Sequence, residues 1–244
     1  MKYKLFACEI LFRELCSLAA SSPNVIDLEF LSKGLHDIGR VEMSSLLAQR
    51  IAAVDESQYD AILLGYALCS GGVVGLSAKT IPLVVPRAHD CITLFLGDKK
   101  RYEEYFFANS GTYFQTTGWI ERGANLTQDL PDSISEKLGL NMSMRQMIEK
   151  YGEDNAKFLR DQISKMQFYT KLAFIETGVE PDDSFERQTR ELAAERRWEF
   201  DKLSGDLSLL RRLLAGTWSD EDFLVVLPGQ RIEFSYEGDI VRAV

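Results

Sequence analysis

The chain has no uninterrupted apolar run approaching the roughly 18 residues that a membrane-crossing helix needs. The apolar stretch from Leu5 to Cys8 is cut by Glu9 and then by Arg13 and Glu14, too soon and too heavily charged for a signal peptide. The expectation is a cytoplasmic protein with no membrane partner. An excess of positive charge is also missing: 28 Lys and Arg face 37 Asp and Glu, a formal net charge of −9. Short basic clusters, such as Lys99 to Arg101 and Arg211-Arg212, sit among acids and read as helix surface, so no nucleic-acid partner is expected. The full phosphate-loop and dinucleotide-binding glycine patterns are absent, which argues against the usual ATPases and dehydrogenases. Histidine and cysteine are scarce, two and four in 244 residues. In a reducing compartment four cysteines read as thiols, ligands or nucleophiles sooner than as structural disulfides.

What is present is an ordinary globular composition, 45% apolar and 27% charged, long enough to bury a core as one large domain or two small lobes. Apolar runs at Lys4–Cys8, Asp60–Tyr66, Ile81–Val85, Lys171–Ile175 and Phe223–Leu227 have the character of strands buried on both faces, with parallel neighbours. Val25–Phe30 alternates and reads as a further strand. Helical spacing falls at Ile10 to Ala19 and over about Val41–Asp55, and later at about Asp183–Arg197 and Asp206–Leu214, with a strand at Trp198–Leu203. This alternation predicts an α/β protein with right-handed crossovers and a Rossmann-like parallel sheet. The two ends echo each other weakly, which leaves two arrangements open: similar lobes facing one cleft, or unrelated units that look alike. The segments are a first α/β lobe over 1–97, an aromatic and helical insertion over 98–167, and a second α/β lobe over 168–244. Within the insertion, Gly111 to Trp119 reads as a loop dense in Gly, Thr and aromatics.

Functional signals gather at the carboxyl ends of the expected strands, where doubly wound sheets bind ligands. Cys69 follows one strand, His89 and Cys91 follow the next, and Cys8 ends the first. Thiolate and imidazole together suit a divalent metal, zinc above all, and thiolates also hold iron–sulfur units. Three protein ligands with one open position would be a catalytic arrangement. A metal-free alternative makes Cys91 or Cys69 a nucleophile with His89 as base, since Asp90 reads as the N-cap of a helix beginning at Cys91. The bland alternative is that these are small core residues, which is the reading for Cys16; His36 reads as structural. Ser70 and Gly71 could cradle an anion. Tyr113, with Trp119, could line a pocket or pack the insertion. Glu9 and Glu176 follow matching strands and could supply a base or a ligand, or sit on the surface. Gly229, in the matching turn of the second lobe, completes the candidate residues for substrate or cofactor.

Four segments carry a resemblance: Tyr66-Ala-Leu-Cys69-Ser-Gly-Gly, Val85-Pro-Arg-Ala-His89-Asp-Cys91-Ile, Gly111-Thr-Tyr-Phe-x-Thr-x-Gly-Trp119 and Phe223-Leu-Val-Val-x-Pro228-Gly229. Together they resemble the family called domain of unknown function 1638, over most of the chain. The family resembles a set from strict anaerobes and methanogens, often beside corrinoid-dependent methyltransferase systems. That implies one-carbon or methyl-group metabolism, a small-molecule substrate, and a corrinoid or a corrinoid protein as partner. His89-Asp90-Cys91 is also similar to the His-x-Cys pair of zinc methyltransferases that activate thiols, although Cys69 here precedes the pair. The resulting expectation is a metal-thiolate, methyltransferase-like protein holding its metal with Cys69, His89, Cys91 and Cys8. Its alternatives are a non-catalytic carrier of a metal, corrinoid or metallocluster, and a cysteine-nucleophile enzyme.

Overall fold

The computed structural model describes residues 1–36, 39–123, 144–157, 169–235 and 239–244. The first strand, β1 (Lys2–Cys8), leads through a 3-10 turn at Glu9–Leu11 into helix α1 (Phe12–Ala20). Strand β2 (Val25–Leu31), helix α2 (Arg40–Ala52), strand β3 (Ala61–Gly65) and strand β4 (Leu83–Pro86) follow. β1 pairs in parallel with β2 on one side and β3 on the other, and β3 pairs in parallel with β4. The chain thus moves outward from β1 to β2 and returns across β1 to β3. Right-handed crossovers in these two directions put α1 and α2 on opposite faces of the sheet. β3 is buried at every residue. Its Gly65 allows the close approach to β1, because a Cβ there would sit 2.6 Å from that of Ala7.

A short helix α3 (Cys91–Leu96) and helix α4 (Lys99–Ala108) lead to a second sheet. Strands β5 (Thr112–Gln115), β6 (Lys171–Glu176) and β7 (Glu199–Ser204) form it in the order β5-β6-β7, all parallel. Helix α5 (Thr117–Gly123) follows β5, and Met144–Tyr151 is also helical. Helix α7 (here Ser184–Arg196, with Met144–Tyr151 as α6) packs on β6 and β7, and α8 (Ser208–Ala215) packs on α1. Strand β8 (Phe223–Val226) then returns to the first sheet, giving the order β2-β1-β3-β4-β8. β9 (Ile232–Phe234) and β10 (Val241–Ala243) form an antiparallel hairpin. Among the described residues, no helix is long and apolar enough to cross a membrane.

Two expectations are corrected, and the strand pairing also crosses the segment boundaries. A strand does form at Phe223–Val226, but it runs antiparallel to β4, with Val84 opposite Val225, and has no parallel neighbour. An apolar run reports burial on both faces and carries no information about direction, so the parallel reading was not secured by the pattern. The sheets also cut across the segments 1–97, 98–167 and 168–244, because β5 pairs with β6 and β8 with β4. The echo between the two ends therefore stops before its last strand. The other correction is that Gly111 to Trp119 is a strand followed by a helix, not a loop: Thr112 is buried while Tyr113 is exposed, the alternation of a half-buried strand. The helices expected within the insertion fall partly on 124–143 and 158–168, outside the described residues.

Candidate functional site

The order β2-β1-β3-β4 reverses between β1 and β3, and open α/β sheets bind ligands outside the strand ends at such a reversal. Three cysteines converge there. Cys8 is the last residue of β1. Cys69 opens a 3-10 turn after β3 and has a φ of 45°, the left-handed region that a non-glycine residue enters at a cost. Cys91 is the first residue of α3, whose N-cap is Asp90. Asp90 Oδ1 accepts the backbone N–H of Ile92 at 3.0 Å, and its Oδ2 accepts the Tyr102 hydroxyl at 2.7 Å. The loops after β3 and β4 are tied to each other: Leu68 N–H donates to Ala88 O at 2.8 Å and Cys69 N–H to His89 O at 3.1 Å. Cys8, Cys69 and Cys91 line one cavity of about 20 Å³, walled also by Ile10, Leu35 and Met43.

Polar groups with unmet hydrogen-bonding capacity surround these thiols. Tyr66, at the end of β3, is 3% exposed, and its hydroxyl has no hydrogen-bond partner among the described residues. The same holds for the buried Nε1 of Trp119. Both residues line the cysteine cavity, as does the buried Lys33, whose Nζ lies 4.0 Å from the centre of the Trp119 ring. Trp119 is held there by its neighbour. Gly118 lies so close to the turn after β1 that a Cβ would stand 1.8 Å from the Ile10 carbonyl oxygen. Burial pushes the Cys8 thiol up to about 11 and the Cys69 thiol up to about 12. Burial also raises Cys91 well above the ordinary range, and the neighbouring Cys69 and Asp90 add to it. Without a cation among them, all three are protonated at neutral pH and are weak nucleophiles.

Cys91 and Trp119 also line a second, larger cleft of about 570 Å³. Its walls are aromatic: Tyr102, Phe106, Tyr113, Phe114 and Tyr169, with Asp90 at the edge. The volume is that of a small-molecule site. A third cleft, beside Lys4, Glu29 and Arg50, contains no cysteine.

The remaining candidates stand elsewhere. His89 is exposed and lines neither cavity; its contribution is the backbone carbonyl that accepts from Cys69. Glu9 Oε1 accepts the Lys33 backbone N–H at 2.9 Å and so orients the segment that carries Lys33. Gly71 has a φ of 91°, and a Cβ there would meet Arg40 and Phe234 at 2.6 and 2.9 Å, so its requirement is one of packing. The backbone of Ser70 lies in the same 3-10 turn. Glu176 is exposed and pairs with Lys202 at 2.8 Å. Gly229 lies in the turn beside Ala78, whose carbonyl accepts its N–H. Cys16 lines neither cavity. Lys33, Tyr66 and Tyr102 did not emerge from the sequence. Tyr66 shares a segment with Cys69, a usable signal, whereas Lys33 reaches the site only through the tertiary fold. Among the described residues, no three His, Cys, Asp or Glu side chains stand as a preformed metal-binding group.

The fold and the site thus define a mixed α/β protein with a cysteine-lined cavity at the reversal of its parallel sheet. The family described as Protein of unknown function (DUF1638) matches residues 30–214, and the chain belongs to that family. No curated protein and no solved structure matches it.

Proposed function

We propose that Cys8, Cys69 and Cys91 hold a single divalent metal ion, zinc in the first instance, beside a small molecule bound in the aromatic cleft. The observation that carries this reading is the cavity of about 20 Å³ shared by three thiols and two unpartnered donors, Tyr66 O–H and Trp119 Nε1–H. Thiolates are hydrogen-bond acceptors, and charge-assisted bonds to them would satisfy both donors. Lys33 would offset the surplus negative charge of three thiolates. No such group is preformed among the described residues, so the thiols would have to close around the ion. Three protein ligands leave one position open, and the ion would supply Lewis acidity there, the chemistry that activates a substrate thiol. Cys91 and Trp119 line both spaces, so a substrate in the cleft would meet the ion at their boundary. We read the sheet as Rossmann-like for its strand order and for a site at its reversal. The nucleophile alternative would need a base other than the exposed His89, which does not line the cavity.

Elemental analysis and zinc titration test the reading. The expected result is one ion per chain, lost in Cys8→Ser, Cys69→Ser and Cys91→Ser and retained in Cys16→Ser and His89→Ala. A Cys91→Ser protein with full metal content and an unchanged melting temperature overturns it.

A further inference from the structure

We infer that the aromatic cleft is a binding site for an organic cation of the quaternary ammonium class. Six of the residues lining it are aromatic: Tyr102, Phe106, Tyr113, Phe114, Trp119 and Tyr169. Among the described residues no Lys, Arg or His lines it, and Asp90 is the acidic side chain that does. The described lining thus presents ring faces of negative potential together with a carboxylate. The walls have the geometry of a cage. Tyr113 and Tyr169 meet with ring centres 5.2 Å apart and planes at 83°, and Tyr102 and Phe114 meet at 6.0 Å and 62°. Aromatic rings lining a cleft offer faces on which a rounded cationic head can rest, the chemistry that recognises quaternary ammonium groups.

Asp90 is fixed for the role. The Ile92 amide and the Tyr102 hydroxyl hold its two oxygens from different sides, so the carboxylate cannot swing away into solvent. Neutral donors orient it without cancelling its charge. A quaternary head cannot donate a hydrogen bond, so it needs no vacant lone pair and responds to the field alone. A rounded apolar cation suits a site walled by rings and is attracted by the Asp90 charge without needing to donate a hydrogen bond.

The inference rests on reading this cleft as the substrate site, and it is independent of the metal. Chelator-treated protein is titrated calorimetrically with choline and with its uncharged carbon isostere, 3,3-dimethylbutan-1-ol. Choline is expected to bind about tenfold or more tightly than the alcohol. Asp90→Asn keeps a helix-capping oxygen and removes the charge; it should weaken choline about tenfold and leave the alcohol unchanged. Tyr113→Leu removes an exposed ring and should weaken choline more than the alcohol, which keeps the test decisive if Asp90→Asn fails to fold. Absence of choline binding, equal affinity for the alcohol, or choline affinity untouched by either variant overturns the inference. Choline binding to a chain that takes up no zinc would sink the metal reading and leave this one standing; zinc uptake without choline binding would do the reverse.

Discussion

The backbone amide of Cys69 donates to the carbonyl of His89 at 3.1 Å, which makes the loops after two adjacent strands into one unit. The histidine serves through its main chain, so its ring is dispensable to this tie. His89→Ala should change the unfolding free energy by less than about 0.5 kcal/mol, as for an unremarkable surface site. Chemical denaturation checks this, and a loss of several times that size would give the imidazole a role.

Metal uptake should depend steeply on pH. The thiols of Cys8 and Cys69 lie near 11 and 12, so each must release a proton to become a ligand at neutral pH. Competition by protons should lower the apparent zinc affinity by about tenfold per pH unit for each thiol proton displaced. Titrations at pH 6, 7 and 8 with a competing chelator measure the slope. A flat profile would mean that no thiol proton leaves on binding.

Tyr66→Phe separates a structural hydroxyl from a functional one. A buried hydroxyl without a partner costs stability, about 1–3 kcal/mol, so its removal should leave the metal-free protein unchanged or more stable. The same variant should bind zinc about tenfold more weakly, in the range seen when an outer-shell partner of a metal ligand is lost. Melting temperatures with and without zinc decide it; a variant destabilised in both states would count against the role.

Glu14 on α1 is fully buried, its Oε1 accepting from Thr177 at 2.9 Å and its Oε2 lacking a hydrogen-bond partner among the described residues. Burial raises its carboxyl from 4.5 to about 7. The folded state therefore binds this proton more tightly than the unfolded state. Its contribution is complete below pH 4.5 and is lost as pH rises through 7, about 3 kcal/mol in all. Glu14→Gln should remove that part of the decline, so wild type and variant should diverge between about pH 4.5 and 7 in urea melts and run parallel above that. Parallel curves from pH 5 to 8 would contradict the assignment.

Gly118→Ala would place a methyl group inside the contact distance of the Ile10 carbonyl. The expected cost is about 3 kcal/mol, the upper end for overpacking, with a shift in Trp119 fluorescence as α5 moves off the turn. An alanine variant as stable as wild type would mean that α5 is free to relax.

The sequence disclosed the strands because strand burial follows from composition alone: the apolar runs near Ala61 and Leu172 have no other way to satisfy water. Direction and partnership were hidden, as Phe223–Val226 shows, since antiparallel and parallel pairing bury the same residues. The cysteines were legible through their positions after strands, and the N-cap at Asp90 through its residue type. The exposure of His89 was not legible, because spacing along the chain does not say which way a side chain turns once Asp90 closes the helix. Lys33 and the perpendicular rings of Tyr113 and Tyr169 depend on contacts between distant segments, about which local pattern is silent.

The pairing of β4 with β8 has a consequence for biosynthesis. While the ribosome is still adding the residues of the second sheet, β4 has β3 on one side and an open edge on the other. Leu83, Val84 and Val85 then expose a short apolar template that a neighbouring nascent chain could extend. Only when Phe223–Val226 emerges is that edge sealed from within the same molecule, so expression of residues 1–97 alone should give insoluble material.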